Sequence, residues 1–116
     1  MGFFRKDVID FALDHQTRQE IEEQQSLIAA DPANPRPYYQ LALLYRMQYK
    51  PEEALGLLLE SVRLDPSFAP AHVALAEIYA VRNDLPAARR HAELAAAQGD
   101  PRAREMLERY GASNEL

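Results

Sequence analysis

Cysteine and tryptophan are both absent from this 116-residue chain, and glycine occurs four times. Without cysteine there is no disulfide framework, no thiolate zinc site and no cysteine nucleophile, and the composition fits a reducing compartment. The glycines, Gly2, Gly56, Gly99 and Gly111, stand far apart, so no glycine-rich loop exists to cradle a phosphate. Long apolar runs are missing too. The amino-terminal stretch meets charge at Arg5, Lys6, Asp7, Asp10 and Asp14, which leaves no uninterrupted segment for a signal peptide or a membrane span. Lys6 stands where a myristoylation pattern wants Ser or Thr. The expected setting is cytoplasmic, with no membrane insertion.

Charge of one sign is also scarce in most of the chain. The net charge is -5, and residues 1–31 carry seven acids against three bases, so the remainder is close to neutral. A nearly neutral body gives no broad basic field for phosphates, and nucleic acid is not an expected partner. Arg89, Arg90, Arg102, Arg104 and Arg109 are interleaved with Glu93, Asp100, Glu105 and Glu108, the pattern of a solvated face of mixed charge. His15, His72 and His91 share no i,i+4 spacing, so no metal site is announced. His72 instead reads as filling a partly buried aromatic position. Glu52, Glu53 and Glu60 lie opposite a leucine-rich helix face, and none of Ser26, Ser61, Ser67 and Ser113 sits in a nucleophile elbow. No catalytic residue, cofactor or metal is expected, and the chain reads as a protein that is not an enzyme.

What the chain does have is a period. Displaced by 34 residues, Asp31 and Pro32 fall on Asp65 and Pro66, Leu41 on Leu75, Ala42 on Ala76, Tyr45 on Tyr79 and Ala54 on Ala88. Periods of about 20 to 50 residues mark solenoids, in which no unit buries its own apolar face without a stacked neighbour. Apolar residues recur at helical spacing, and Pro37, Pro51, Pro70, Pro86 and Pro101 sit where first turns fall, since no N–H is needed there. Asp84 and Asp100 suit N-caps, and Asp31-Pro32 and Asp65-Pro66 close the helices before them. The pattern predicts helices over 36–48, 52–64, 70–82, 85–98 and 101–110.

Tyr38, Leu41, Ala42, Tyr45, Ala54, Leu58, Ser61 and Pro66, echoed by His72, Leu75, Ala76, Tyr79, Ala88, Ala92 and Ala95, resemble the tetratricopeptide repeat. The resemblance is strong over residues 35–100. It implies an all-α solenoid of antiparallel helix hairpins: one repeat at 35–66, a second at 69–100, a capping helix at 101–110 turning Met106, Leu107 and Tyr110 inward, and a tail at 111–116. Small residues at Ala42 and Ala54, and at Ala76 and Ala88, would let the helices of a hairpin approach, and Ser61 and Ala95 would serve the contact with the next hairpin. In this family the first helix of each hairpin lines a concave groove that receives a segment of another polypeptide. Carried onto this chain, the groove displays Arg36, Tyr39, Gln40, Leu43, Arg46 and Met47, then Val73, Glu77, Ala80 and Val81. Members that grip a terminal carboxylate hold Lys, Asn and Arg in these positions, so Tyr39, Leu43, Val73 and Glu77 imply that this clamp is missing. The implied partner is a protein or peptide, unless the amino-terminal segment covers these side chains itself.

Residues 1–31 have two readings. Extending the period backwards puts a turn at His15 to Thr17, and Thr17 with Glu20 forms a capping-box pattern, which predicts a degenerate amino-terminal hairpin. The alternative is one long helix, since neither Gly nor Pro interrupts the segment. Phe4, Val8 and Phe11 lie on one stripe of the first helix, while Ile9 and Leu13 point elsewhere. Two stripes on one helix predict two contacts, one on the first repeat near Tyr38 and Tyr45 and one with a partner or a second copy, so homo-oligomerisation is the alternative function.

Overall fold

The computed structural model describes the backbone of residues 2–114 and the side chains of residues 14–111. Six helices follow one another among these residues, with no strand: α1 (Gly2–Ala30), α2 (Pro35–Met47), α3 (Pro51–Leu64), α4 (Ala69–Val81), α5 (Leu85–Ala97) and α6 (Arg102–Asn114). Each packs on its neighbour in sequence, and α6 also reaches back to α4. Pro35, Pro51, Pro70 and Pro86 stand in first turns, where the missing N–H costs nothing. Asn34 caps α2 through Arg36 N–H, and Asp84 caps α5 through Ala87 N–H at 3.2 Å. Asp100 accepts the Arg102 N–H at 3.2 Å just ahead of α6.

Small residues bring the paired helices together. Ala42 and Ala54 are 0% exposed in the α2–α3 hairpin, as are Ala76 and Ala88 in the α4–α5 hairpin. Leu58 of α3 then joins Ala71, Ala74, Leu75 and Ile78 of α4 with Phe68 in one core that runs between the hairpins. A second cluster, Val73, Ala76, Ala92, Ala95 and Ala103, with Leu107 against it, ties α4 and α5 to α6. Helix α4 is the shared wall of both clusters, so it is buried on most of its surface from Ala71 to Ala76. Ala95 packs toward α6, a single helix, where the sequence predicts a contact with a further hairpin. Ser61 is fully buried too, but its hydroxyl donates to the Pro35 carbonyl at 3.0 Å and so holds its own hairpin closed.

The amino-terminal hairpin does not form. The backbone runs as a single helix through His15 to Thr17, and the Gln16–Glu20 hydrogen bond and the Asp14–Arg18 ion pair bridge the place where the turn was expected. A capping-box pattern stops nothing when no residue breaks the helix, and i,i+4 pairs favour continuation. The carboxy-terminal half of α1 packs on α2 in the place of a second helix of a preceding repeat.

Three turns use one device. Tyr49, Asn83 and Gly99 adopt left-handed backbone, with φ of 59°, 61° and 92°, just past α2, α4 and α5. In each turn the following N–H bonds back to the helix, Lys50 to Tyr45, Asp84 to Tyr79 and Asp100 to Ala95. Glycine takes this conformation freely and asparagine tolerates it; tyrosine does not, yet Tyr49 holds it with its side chain 92% exposed.

Candidate functional site

The first helices of successive units, α2, α4 and α6, share one open face. Arg46 of α2, Glu77, Ala80 and Val81 of α4, and Met106 and Tyr110 of α6 line a depression of about 320 Å³. Its walls are mostly apolar, and its polar feature is the Arg46–Glu77 ion pair, 3.4 Å long and partly buried, which spans from α2 to α4. Of its lining residues, Val81 is 86% and Tyr110 41% exposed. A second depression of about 340 Å³ adjoins it at the helix tips, where Arg46, Tyr49, Pro51, Ile78, Val81 and Arg82 meet. Arg82 is itself anchored to Glu52 at 2.7 Å, which fixes the spacing of the two hairpin tips. Exposed ion pairs of this kind contribute about 0 to 1 kcal/mol, so their role here is to set register rather than stability.

The ten residues assigned to the groove from the sequence do not all meet. Arg46, Glu77, Ala80 and Val81 come together as expected, and Met47 stands exposed at the end of α2. Arg36 and Gln40 instead face α1, lining a separate depression with Gln24, Leu27 and Asn34. Tyr39 is half-buried with its ring edge-on to Phe68 at 5.7 Å, and the Arg36 guanidinium covers the same Phe68 ring at 5.5 Å. Leu43 is half-buried. Val73 is 5% exposed and lies in the cluster that holds Ala103 and Leu107, so the packing of α6 on α4 removes it from the open surface. The capping helix also departs from expectation. Leu107 turns inward, but Met106 and Tyr110, one turn apart, face the depression and extend it.

Phe4, Val8, Ile9, Phe11 and Leu13, the residues assigned to self-association, have side chains outside the described residues. Tyr38, expected near that contact, donates its hydroxyl to the Pro32 carbonyl at 2.9 Å. Asp100 and Arg102 form a two-point pair at 2.9 and 2.8 Å, and the hydrogen bond from Arg102 holds the Asp100 carboxyl below its usual range. Among the described residues no group of three His, Asp or Glu side chains could hold a metal ion, and no helix is long and apolar enough to cross a membrane.

Stacked helical hairpins whose first helices line a common cleft define a solenoid scaffold for binding other proteins. The chain belongs to the tetratricopeptide repeat family, whose model matches residues 14–84, more than half of its length. The match begins within α1, where its second half takes the place of a repeat helix. Among solved structures, the crystal structure of MamA is similar in fold, with a TM-score of 0.67 at 20% identity, over 82% of this chain and 55% of that one. A MamA RS-1 ArsTM double mutant matches with a TM-score of 0.66 at 24% identity, over 83% of this chain and 53% of that one. The chain therefore spans about half the length of these structures. No curated protein matches it. The tetratricopeptide fold typically serves as a non-catalytic interaction scaffold.

Proposed function

We propose that the depression between α2, α4 and α6 takes an apolar side chain from a peptide or helical segment of a cytoplasmic partner protein, and that the chain acts without catalysis. The observation that carries this reading is the convergence of three helices from successive units on one mostly apolar depression, rimmed by Val81 and Tyr110. Exposed apolar side chains gathered around a concavity mark docking surfaces, whereas singly scattered ones do not. The Arg46–Glu77 pair in the lining offers either sign of charge to the incoming segment and fixes its orientation. Val81→Glu and Tyr110→Ala touch exposed side chains and are expected to leave the fold intact. Each is expected to weaken binding about tenfold or more, as substitution of a central anchor does. Proteins co-purifying from the native host with the wild-type chain should be lost with both variants; equal recovery with wild type and variants at unchanged melting temperature would rule the depression out.

A second reading, homo-oligomerisation through α1, has its own support. At 1.5 Å per residue the 29 residues of α1 span about 43 Å, whereas the 13 of α2 span about 20 Å. Helix α2 is too short to cover α1, and α1 has no single apolar stripe along its length. Deleting residues 1–14 is then expected to abolish concentration-dependent association in sedimentation and to lower the melting temperature by a few degrees. An unchanged mass and melting temperature would remove α1 from both roles.

A further inference from the structure

Two imidazoles meet between α4 and α5. His72 is 3% and His91 8% exposed, and their Nδ1 atoms lie 2.9 Å apart. His72 Nε2 lies 2.7 Å from the Pro66 carbonyl oxygen. A carbonyl oxygen only accepts, so His72 donates from Nε2–H, and a neutral ring with one N–H leaves its Nδ1 as an acceptor. The proton between the two rings therefore belongs to His91, which donates from Nδ1–H. Both tautomers follow from one carbonyl. The His91 ring is also stacked on Tyr79, with centroids 5.6 Å apart and planes 9° from parallel, and on His72 at 5.2 Å.

This arrangement has no good place for another proton. On His91 the proton would go to Nε2 and leave an imidazolium in the hairpin. The groups facing that ring are His72 and Tyr79 from α4, Arg90 from α5 and, through His72, the Pro66 carbonyl from the loop before α4. Helix α6, which packs on both helices, presents Ala103 and Leu107 to this hairpin, and among the described residues no carboxylate of α3 or α6 acts on His91. A buried charge without a counter-charge is disfavoured strongly enough to break packing.

We propose that the His72–His91 pair is an acid-released latch on the second hairpin, closed while both rings are neutral and opened when His91 takes up a proton. The first hairpin lacks it: one period earlier, Tyr38 and Leu57 stand at the positions of His72 and His91. Release would act on α4, which supplies Glu77, Ala80 and Val81 to the depression. The latch does not depend on what that depression binds.

Burial first, then the neighbouring His72 and Arg90, lowers His91 from 6.5 to about 4. The closed form thus binds the proton more weakly than the open form. The latch contributes fully above about 6.5, and its contribution is lost as pH falls from there toward 4. By linkage the open form should be roughly 30-fold more populated at pH 5 than at pH 7.5.

Imidazole 15N NMR and amide hydrogen exchange on the full chain test this. At pH 7.5 His72 should appear as the Nε2–H tautomer and His91 as the Nδ1–H tautomer, a measurement that needs no variant. Between pH 7.5 and 5, exchange corrected for its intrinsic pH dependence should speed up about 30-fold in α4 and α5 and stay nearly constant in α2 and α3. In His91→Asn the side-chain amide keeps a donor near the Nδ1 position and cannot titrate, so the pH dependence should vanish. The reverse tautomers, equal acceleration in both hairpins, or an unchanged pH dependence in His91→Asn would overturn the latch.

Discussion

Leu58→Ala is expected to lower stability by about 2 to 5 kcal/mol, the range for removing a buried leucine side chain. Leu58 is 0% exposed and is one of the two largest apolar side chains fully enclosed in the described structure, with Leu75. Its position makes the loss severe. It sits on α3 yet belongs to the core that includes Ala71, Ala74 and Leu75 of α4, so it joins the two hairpins as well as filling one of them. The alanines around it have no rotamers with which to close the gap, and the cavity should stay open. For a chain of this size the melting midpoint should fall by roughly 8 to 20 °C. Because neighbouring hairpins share this core, the transition should remain single. A calorimetric midpoint within a degree or two of wild type would show that the hairpins are not joined through Leu58.

Ala54→Leu makes the opposite error in volume and is expected to cost about 1 to 3 kcal/mol. Ala54 and Ala42 are both 0% exposed in the α2–α3 hairpin, where backbone approaches backbone, and there is no space for three more carbon atoms without spreading the helices. Spreading would also strain the Ser61 hydrogen bond to Pro35, which closes the other end of α3 onto α2. A thermal melt reads the effect, and a stability equal to wild type would mean that the close approach at Ala54 is not what holds the hairpin.

Both substitutions fall on residues whose burial could be read from the sequence, because a 34-residue period and small residues at fixed positions carry the packing of the fold. The helices expected over 36–48, 52–64, 70–82 and 85–98 agree with α2 to α5 to within one residue at each end, since proline and aspartate punctuate them locally. The amino-terminal segment had no such punctuation, and a capping box alone was too weak a signal to decide between hairpin and helix. The site was less legible. Arg46, Glu77, Ala80 and Val81 follow from their places on the first helices, but Val73 was lost to α6, a helix that the period does not align because Asp100-Pro101 comes one residue late. Met106 and Tyr110 also reach the depression, and their i,i+4 spacing already put them on one face. The His72–His91 contact joins residues 19 apart on different helices, and no local pattern announces such a pair.

The most direct test of the proposed binding role is an NMR footprint on the labelled chain, titrated with a peptide segment of the protein that co-purifies with it. Chemical-shift changes should gather on Arg46, Glu77, Ala80, Val81, Met106 and Tyr110, and Val81→Glu should abolish them while the rest of the spectrum keeps its dispersion. Changes confined to the outer faces of α3 and α5, or a footprint that Val81→Glu leaves intact, would contradict it.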